Sequence, residues 1–189
     1  MNKESIQSMK LLGFFLVLLW LIEIVNLVVE HRLNQFALLP RDVSQLYGIV
    51  SIHFLHWNFG HLFSNTLPVA ILGIMVCIKG NAEKVTLSIM LITGTLVWLF
   101  ARSGLHAGAS GLVMGYWGYL ISSAIFDRNL KSLMIAIITI ALYGGIVFSL
   151  LDFRQSVSFE GHLFGFLAGI FSAWLPILRT KNNRKQARA

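Results

Sequence analysis

The sequence predicts an all-α membrane protein, a bundle of six transmembrane helices with both termini in the cytoplasm. Three observations predict it. Of 189 residues, 56% are hydrophobic and 12% charged, against roughly 45–50% and about 25% in soluble chains, and the mean hydropathy is +0.73. The apolar residues gather in runs suited to crossing a bilayer, at roughly 20 residues per span. Lys and Arg fall unevenly on the two sides of those runs. This composition excludes a disordered chain, and the single Cys77 excludes a domain built on internal disulfides.

The six runs cover about residues 11–29, 61–78, 85–101, 110–126, 132–151 and 161–178. Lys3 and Lys10 precede the first without a small-residue cleavage pattern after it, so that run is expected to remain as a helix. The connection over residues 30–60 is long and the other four are brief. No Pro/Gly-rich linker or internal repeat divides the chain, which is expected to form one domain over 1–189. With six spans both termini share a side, and that side collects eleven of the fifteen Lys and Arg residues. Cytoplasmic loops carry the positive excess, so both termini are expected inside, in the cytoplasmic (inner) membrane of a bacterium. The net charge of +7 is concentrated in a tail over 179–189, where Arg179, Lys181, Arg184, Lys185 and Arg188 follow an apolar run. That placement fits a cytoplasmic tail and membrane lipid, and no nucleic-acid partner is expected.

All six histidines (His31, His53, His56, His61, His106 and His162) fall in outer loops or at outer helix ends. Spans two, four and six enter the membrane from outside, and His61, Ser110 and His162 stand at their starts. Polar groups from three distant segments thus come to one membrane depth. Around Ser110, the run Gly108-Ala109-Ser110-Gly111 leaves the backbone unobstructed where a helix opens. The unpaired N–H groups of a first helical turn suit an anion, although a serine there also fits a plain N-cap. His162 lies beside a stripe of Gly161, Gly165 and Gly169, and the fourth span offers Gly111, Gly115 and Gly118. Small residues at this spacing let membrane helices pack closely, which would bring Ser110 and His162 together. Packing alone does not account for the histidine, because an ionisable side chain within a span is costly. His61 and Asn65 share one helical face at i, i+4 and could donate hydrogen bonds to a developing oxyanion. Asn65 fits an interhelical hydrogen bond equally well.

Taken together, His61-x-x-x-Asn65 opening span two, Gly108-x-Ser110-Gly111 opening span four and the Gly-flanked His162 opening span six resemble the rhomboid intramembrane serine proteases. The segment from His53 and His56 through Trp57 to Asn65 is also rhomboid-like. The resemblance covers nearly the whole chain. It implies that Ser110 is the nucleophile and His162 the general base of a catalytic dyad, with His61, Asn65 and the Ser110 N–H as the oxyanion site. Gly108, Gly111, Gly165 and Met114 would support that site. The implied substrates are transmembrane segments of other proteins, cut near the outer surface. No cofactor or metal is implied. Span five becomes a lateral gate by this resemblance alone.

Three positions depart from the family pattern. Met114 stands where an aromatic usually stacks on the histidine, Tyr47 and Gly48 where a Trp-Arg pair is usual, and Cys77 where an acid is common. Met114 could still pack against a ring through its sulfur. Asp152 and Glu160, the acids nearest His162, read as solvated loop charges. Glu23 is the one acid inside a span, paired with Asn26 or facing a wet cavity. Two other functions compete. A metal-dependent protease could draw on His53, His56, His61 and His162, but lacks an HExxH pair. A catalytically weak or inactive relative would bind transmembrane clients without cutting them. A transporter is disfavoured, because Glu23 lies away from the histidines.

Overall fold

The computed structural model describes residues 3–151 and 158–186, with side chains through Leu175. Asp152 and Arg154 lie outside these. Among the described residues the chain is helical, with seven α-helices and no β-strand. They are α1 (Lys3–Val28), α2 (Gly48–Ser51), α3 (Phe59–Lys79), α4 (Ala82–Phe100), α5 (Ser110–Asp127), α6 (Leu130–Tyr143) and α7 (Phe159–Gln186). Four helical stretches, Lys3–Val28, Phe59–Lys79, Ala82–Phe100 and Leu130–Leu151, are long and apolar enough to cross a membrane.

Three boundaries differ from expectation. Helix α1 begins at Lys3 rather than near 11, because its polar first turns are helical without being apolar. Helix α7 continues through the basic residues to Gln186; Lys and Arg are good helix formers, and charge ends an apolar run without ending a helix. The fifth run changes character at Gly144, where α6 gives way to a 3-10 helix over Gly144–Leu151. That is long for a 3-10 segment.

Side-chain caps set where the two histidine-bearing helices of the site start. Asn58 is extended and its Oδ1 accepts from the His61 N–H at 2.9 Å, which fixes His61 in the first turn of α3. Ser158 acts similarly on α7: its Oγ accepts from Gly161 N–H at 3.2 Å and its carbonyl from His162 N–H at 3.2 Å. Helix α5 has Ala109 at its N-cap and no side-chain cap. Ser110 is therefore the first helical residue, which removes the plain N-cap role.

The core sits around α5, twelve of whose eighteen residues are buried. The glycine stripes meet as expected. A Cβ on Gly165 would overlap the Gly111 carbonyl, and one on Gly169 the Gly115 carbonyl. Only hydrogen side chains permit this approach of α5 and α7.

The long first connection is fastened to α1 and to the loop before α5. Leu38 and His106 form an antiparallel bridge, at 3.0 and 2.8 Å. In α1, Glu23 and Asn26 are fully buried, and Asn26 Nδ2 donates to Glu23 Oε2 at 3.3 Å and to Asn34 Oδ1 at 3.0 Å. Asn26 Oδ1 accepts from Leu33 N–H at 3.0 Å. Of the two sequence alternatives for Glu23, the structure shows the Asn26 partnership. At the departing positions, Tyr47 packs edge-on against Phe36 and Gly48 allows backbone contact with Leu38. Cys77 is a buried free thiol in α3.

Candidate active site

Ser110, His162, His61, Asn65 and Met114 line one cavity of about 670 Å³. Three helices supply them: the first two turns of α3, the first two turns of α5 and the first turn of α7. The cavity also takes in Ser149 from the 3-10 segment and Arg102 to Ala107 from the connection before Ser110.

Gly108 is the closest measure of how His61 and Ser110 sit. Its φ is +127°, a left-handed conformation suited to glycine, and a Cβ there would lie 2.8 Å from His61 Nε2 and 3.7 Å from Ser110 Oγ. The His61 ring thus stands against the loop that presents the hydroxyl. Its Nδ1 is buried without a hydrogen-bond partner, and an orphaned acceptor is tolerated better than an orphaned donor. That favours the tautomer with the proton on Nε2, toward Gly108. Asn65 Nδ2 donates to the His61 carbonyl at 3.0 Å, and a primary amide carries a second N–H.

The hydrogen bond described on the His162 ring runs from Nδ1 to the Ser149 carbonyl, at 3.1 Å, rather than to Ser110. A carbonyl only accepts, so the ring proton lies on Nδ1 and Nε2 is the basic nitrogen. At the position of the missing aromatic, the Met114 sulfur lies 3.5 Å from Ser149 Oγ, whose proton goes to the Ile146 carbonyl at 2.7 Å, so Met114 meets the residue whose carbonyl holds His162 Nδ1.

Two histidines in the first connection act at a distance that sequence reasoning left unassigned. His56 Nε2 accepts from Ala109 N–H at 3.3 Å and its ring meets His61 edge-on at 5.1 Å. It therefore anchors the backbone immediately before Ser110. Burial, then the nearby His61 charge, push His56 down to about 3. Burial pushes His53 down to about 4, its Nε2 donating to the Met90 carbonyl at 3.0 Å. His56 stays neutral, as an acceptor of a backbone N–H must, and burial keeps His53 neutral as well. Their signal was the density of histidines between Ile52 and Leu62, without a helical period to show their targets.

Glu160 is corrected. It lies in the first turn of α7, where Oε1 accepts from the Arg102 N–H at 3.2 Å and faces Arg102 Nε at 3.5 Å. Its side chain is mostly buried, so it is an ion-paired group rather than a solvated loop charge. Among the described residues, no three His, Cys, Asp or Glu side chains gather as metal ligands would.

A profile of the rhomboid domain matches residues 43–179, most of the chain. The chain belongs to the rhomboid family. An uncharacterized protein of Mycobacterium tuberculosis is 31% identical over 186 residues, covering 93% of this chain and 78% of the relative. An uncharacterized protein of Mycobacterium leprae is 32% identical over 174 residues, covering 85% and 68%. Rhomboids are in general intramembrane serine proteases. With its apolar helices, this rhomboid is an integral membrane protein.

Proposed function

We propose that this protein is an intramembrane serine endopeptidase that cuts transmembrane segments of other proteins through a Ser110–His162 dyad. The observation that carries the reading is the shared cavity. Ser110, His162, His61 and Asn65 come from three distant helices and line one space, large enough for water and a peptide segment. In this reading α1, α3, α4, α5, α6 with its 3-10 extension, and α7 each cross the bilayer. Both termini face the cytoplasm, in a bacterial inner membrane, because the Lys and Arg excess lies on that side.

The chemistry follows from the tautomers. With Nδ1–H held by the Ser149 carbonyl, His162 Nε2 takes the proton from Ser110 Oγ as that oxygen attacks the scissile carbonyl. The new Oγ–C bond places negative charge on the carbonyl oxygen. The Ser110 N–H at the uncapped start of α5, His61 Nε2–H and the second Asn65 N–H are the donors for it. Collapse breaks the C–N bond, and His162 returns the proton to the leaving amine. Water then attacks the acyl group with Nε2 again as base. The substrate segment must unwind before attack, so Gly or Pro near the bond helps, by about 1 and about 3 kcal/mol relative to Ala.

The test is co-expression with a panel of tagged single-span proteins from the same cell, with parallel labelling by a fluorophosphonate. Cleavage and labelling by the wild type should both vanish in Ser110→Ala, and cleavage in His162→Ala. Products that persist in both variants would exclude this dyad as their source. Client binding without any cleavage would favour the non-catalytic alternative.

A further inference from the structure

A second serine–histidine pair faces the same cavity and takes no part in the chemistry above. His106 lies four residues before Ser110, and Ser158 four residues before His162. His106 Nδ1 and Ser158 Oγ are 2.7 Å apart, and His106 Nε2 lies 3.0 Å from the Arg102 carbonyl. That carbonyl requires the proton on Nε2, so Nδ1 accepts and Ser158 O–H donates. The same Ser158 oxygen caps α7. Beside it, Arg102 meets Glu160 through its backbone N–H and its guanidinium. His106 is itself fixed, 4% exposed and bridged to Leu38 through its backbone.

We propose that these two contacts form a clamp joining the loop that ends in Ser110 to the turn that carries His162, with His106 as its positioning residue. The inference rests on the dyad reading. Ser110 and His162 belong to helices whose glycine stripes hold their axes close. A stripe of hydrogens allows sliding along and rotation about the axes, because it presents few interlocking side chains. The clamp removes that freedom at the outer ends, where reacting atoms must meet at about 3 Å. The donor directions are all satisfied in one arrangement only: Gly161 N–H into Ser158 Oγ, Ser158 O–H into His106 Nδ1, and His106 Nε2–H into the Arg102 carbonyl. The His106 ring nitrogens are both engaged, by Ser158 and by the Arg102 carbonyl. His106 acts through Ser158 on the helix start.

The experiment measures the rate of fluorophosphonate labelling at Ser110 in the purified full chain. It compares wild type, His106→Ala, Ser158→Ala, the double variant, His106→Asn and Ser110→Ala, and records the pH profile and thermal unfolding of each. Each single alanine variant should label about tenfold to a hundredfold more slowly, and the double variant no more slowly than the slower single. His106→Asn, which keeps an acceptor near the Nδ1 position, should recover most of the rate. The inflection of the pH profile should stay where the wild type has it while the plateau falls. Multiplying effects in the double variant would overturn the clamp, as would His106→Asn labelling as slowly as His106→Ala. A shifted inflection would also overturn it, by making His106 a base. If His106→Ala labels at the wild-type rate while Ser110→Ala is silent, the clamp alone fails. If Ser110→Ala still labels, the dyad reading fails and the clamp with it.

Discussion

Helices α1 and α5 are built on opposite rules. In α1 the described buried residues are Ser8, Leu19, Glu23 and Asn26, three of them polar, while Phe14, Val17 and Val28 are exposed. Helix α5 buries Gly, Met, Tyr, Trp and Ser around most of its circumference. The α6 stretch follows α1, burying Ser132, Ala136 and Thr139 and exposing Leu133, Ile137 and Leu142. In a bilayer the lipid accepts apolar side chains as readily as another helix does. The protein interior therefore goes to small residues that pack closely and to polar residues that need partners. Hydropathy picks out α1 and the α6 stretch most strongly, whereas α5, which carries Ser110, is not among the helices long and apolar enough to cross a membrane.

The sharpest way to break that contrast is to put bulk between α5 and α7. Gly165→Leu would drive a branched side chain into the Gly111 carbonyl. Neither backbone can yield without separating the helix starts. The expected cost is about 3 kcal/mol or more, read as loss of folded protein on unfolding in mild detergent. A variant as stable as the wild type would show that the stripes do not define this interface.

Much of this pair was legible in the sequence. Glycines recurring every third or fourth residue on two segments predict a close crossing, and a Ser at the head of one stripe and a His at the head of the other predict a shared site. The polar fastenings were not legible. The targets of His56, His106 and Glu160 lie 53, 52 and 58 residues away, and no local pattern marks a bond over that separation. The 3-10 turn at Gly144 was hidden because the apolar run continues through it. The contact of Met114 with Ser149 was hidden by expecting a sulfur to seek a ring.

Next in size is the polar interior of α1. Asn26 serves Glu23, Asn34 and the Leu33 N–H together. Asn26→Leu fits the helix and removes all three hydrogen bonds, at about 1–3 kcal/mol for a buried group left without its partner. A loss of about 3 kcal/mol is expected in the same assay, with a smaller one for Glu23→Gln, which can still accept from Asn26. Equal stability of Asn26→Leu and wild type would mean that lipid-like packing suffices inside α1.

Acid sharpens the comparison more gently, through the first connection. His53 and His56 have folded values of about 4 and about 3, below the ordinary 6.5. The neutral forms are favoured in the folded state, so their contribution is complete above pH 6.5 and is lost as pH falls. Below 6.5 each group should lower the stability progressively as the pH falls toward its folded value. Unfolding followed from pH 7 to pH 5 should show this slope, and His53→Phe should reduce it. A flat profile would mean that both rings are charged without penalty.

The smallest effect is expected on the lipid face of α6. Ile137 is 56% exposed, so removing most of its side chain opens no cavity and strands no polar group. Buried in a soluble core, an Ile→Ala change costs about 2–5 kcal/mol. Here the side chain meets acyl chains whether or not α6 is docked, so the transfer contribution cancels between the two states. Ile137→Ala should shift stability by less than about 0.5 kcal/mol, against the large loss in Gly165→Leu on the paired helices. A loss above about 1 kcal/mol would instead mean that another protein surface covers Ile137, and α6 would then belong with α5 rather than with α1.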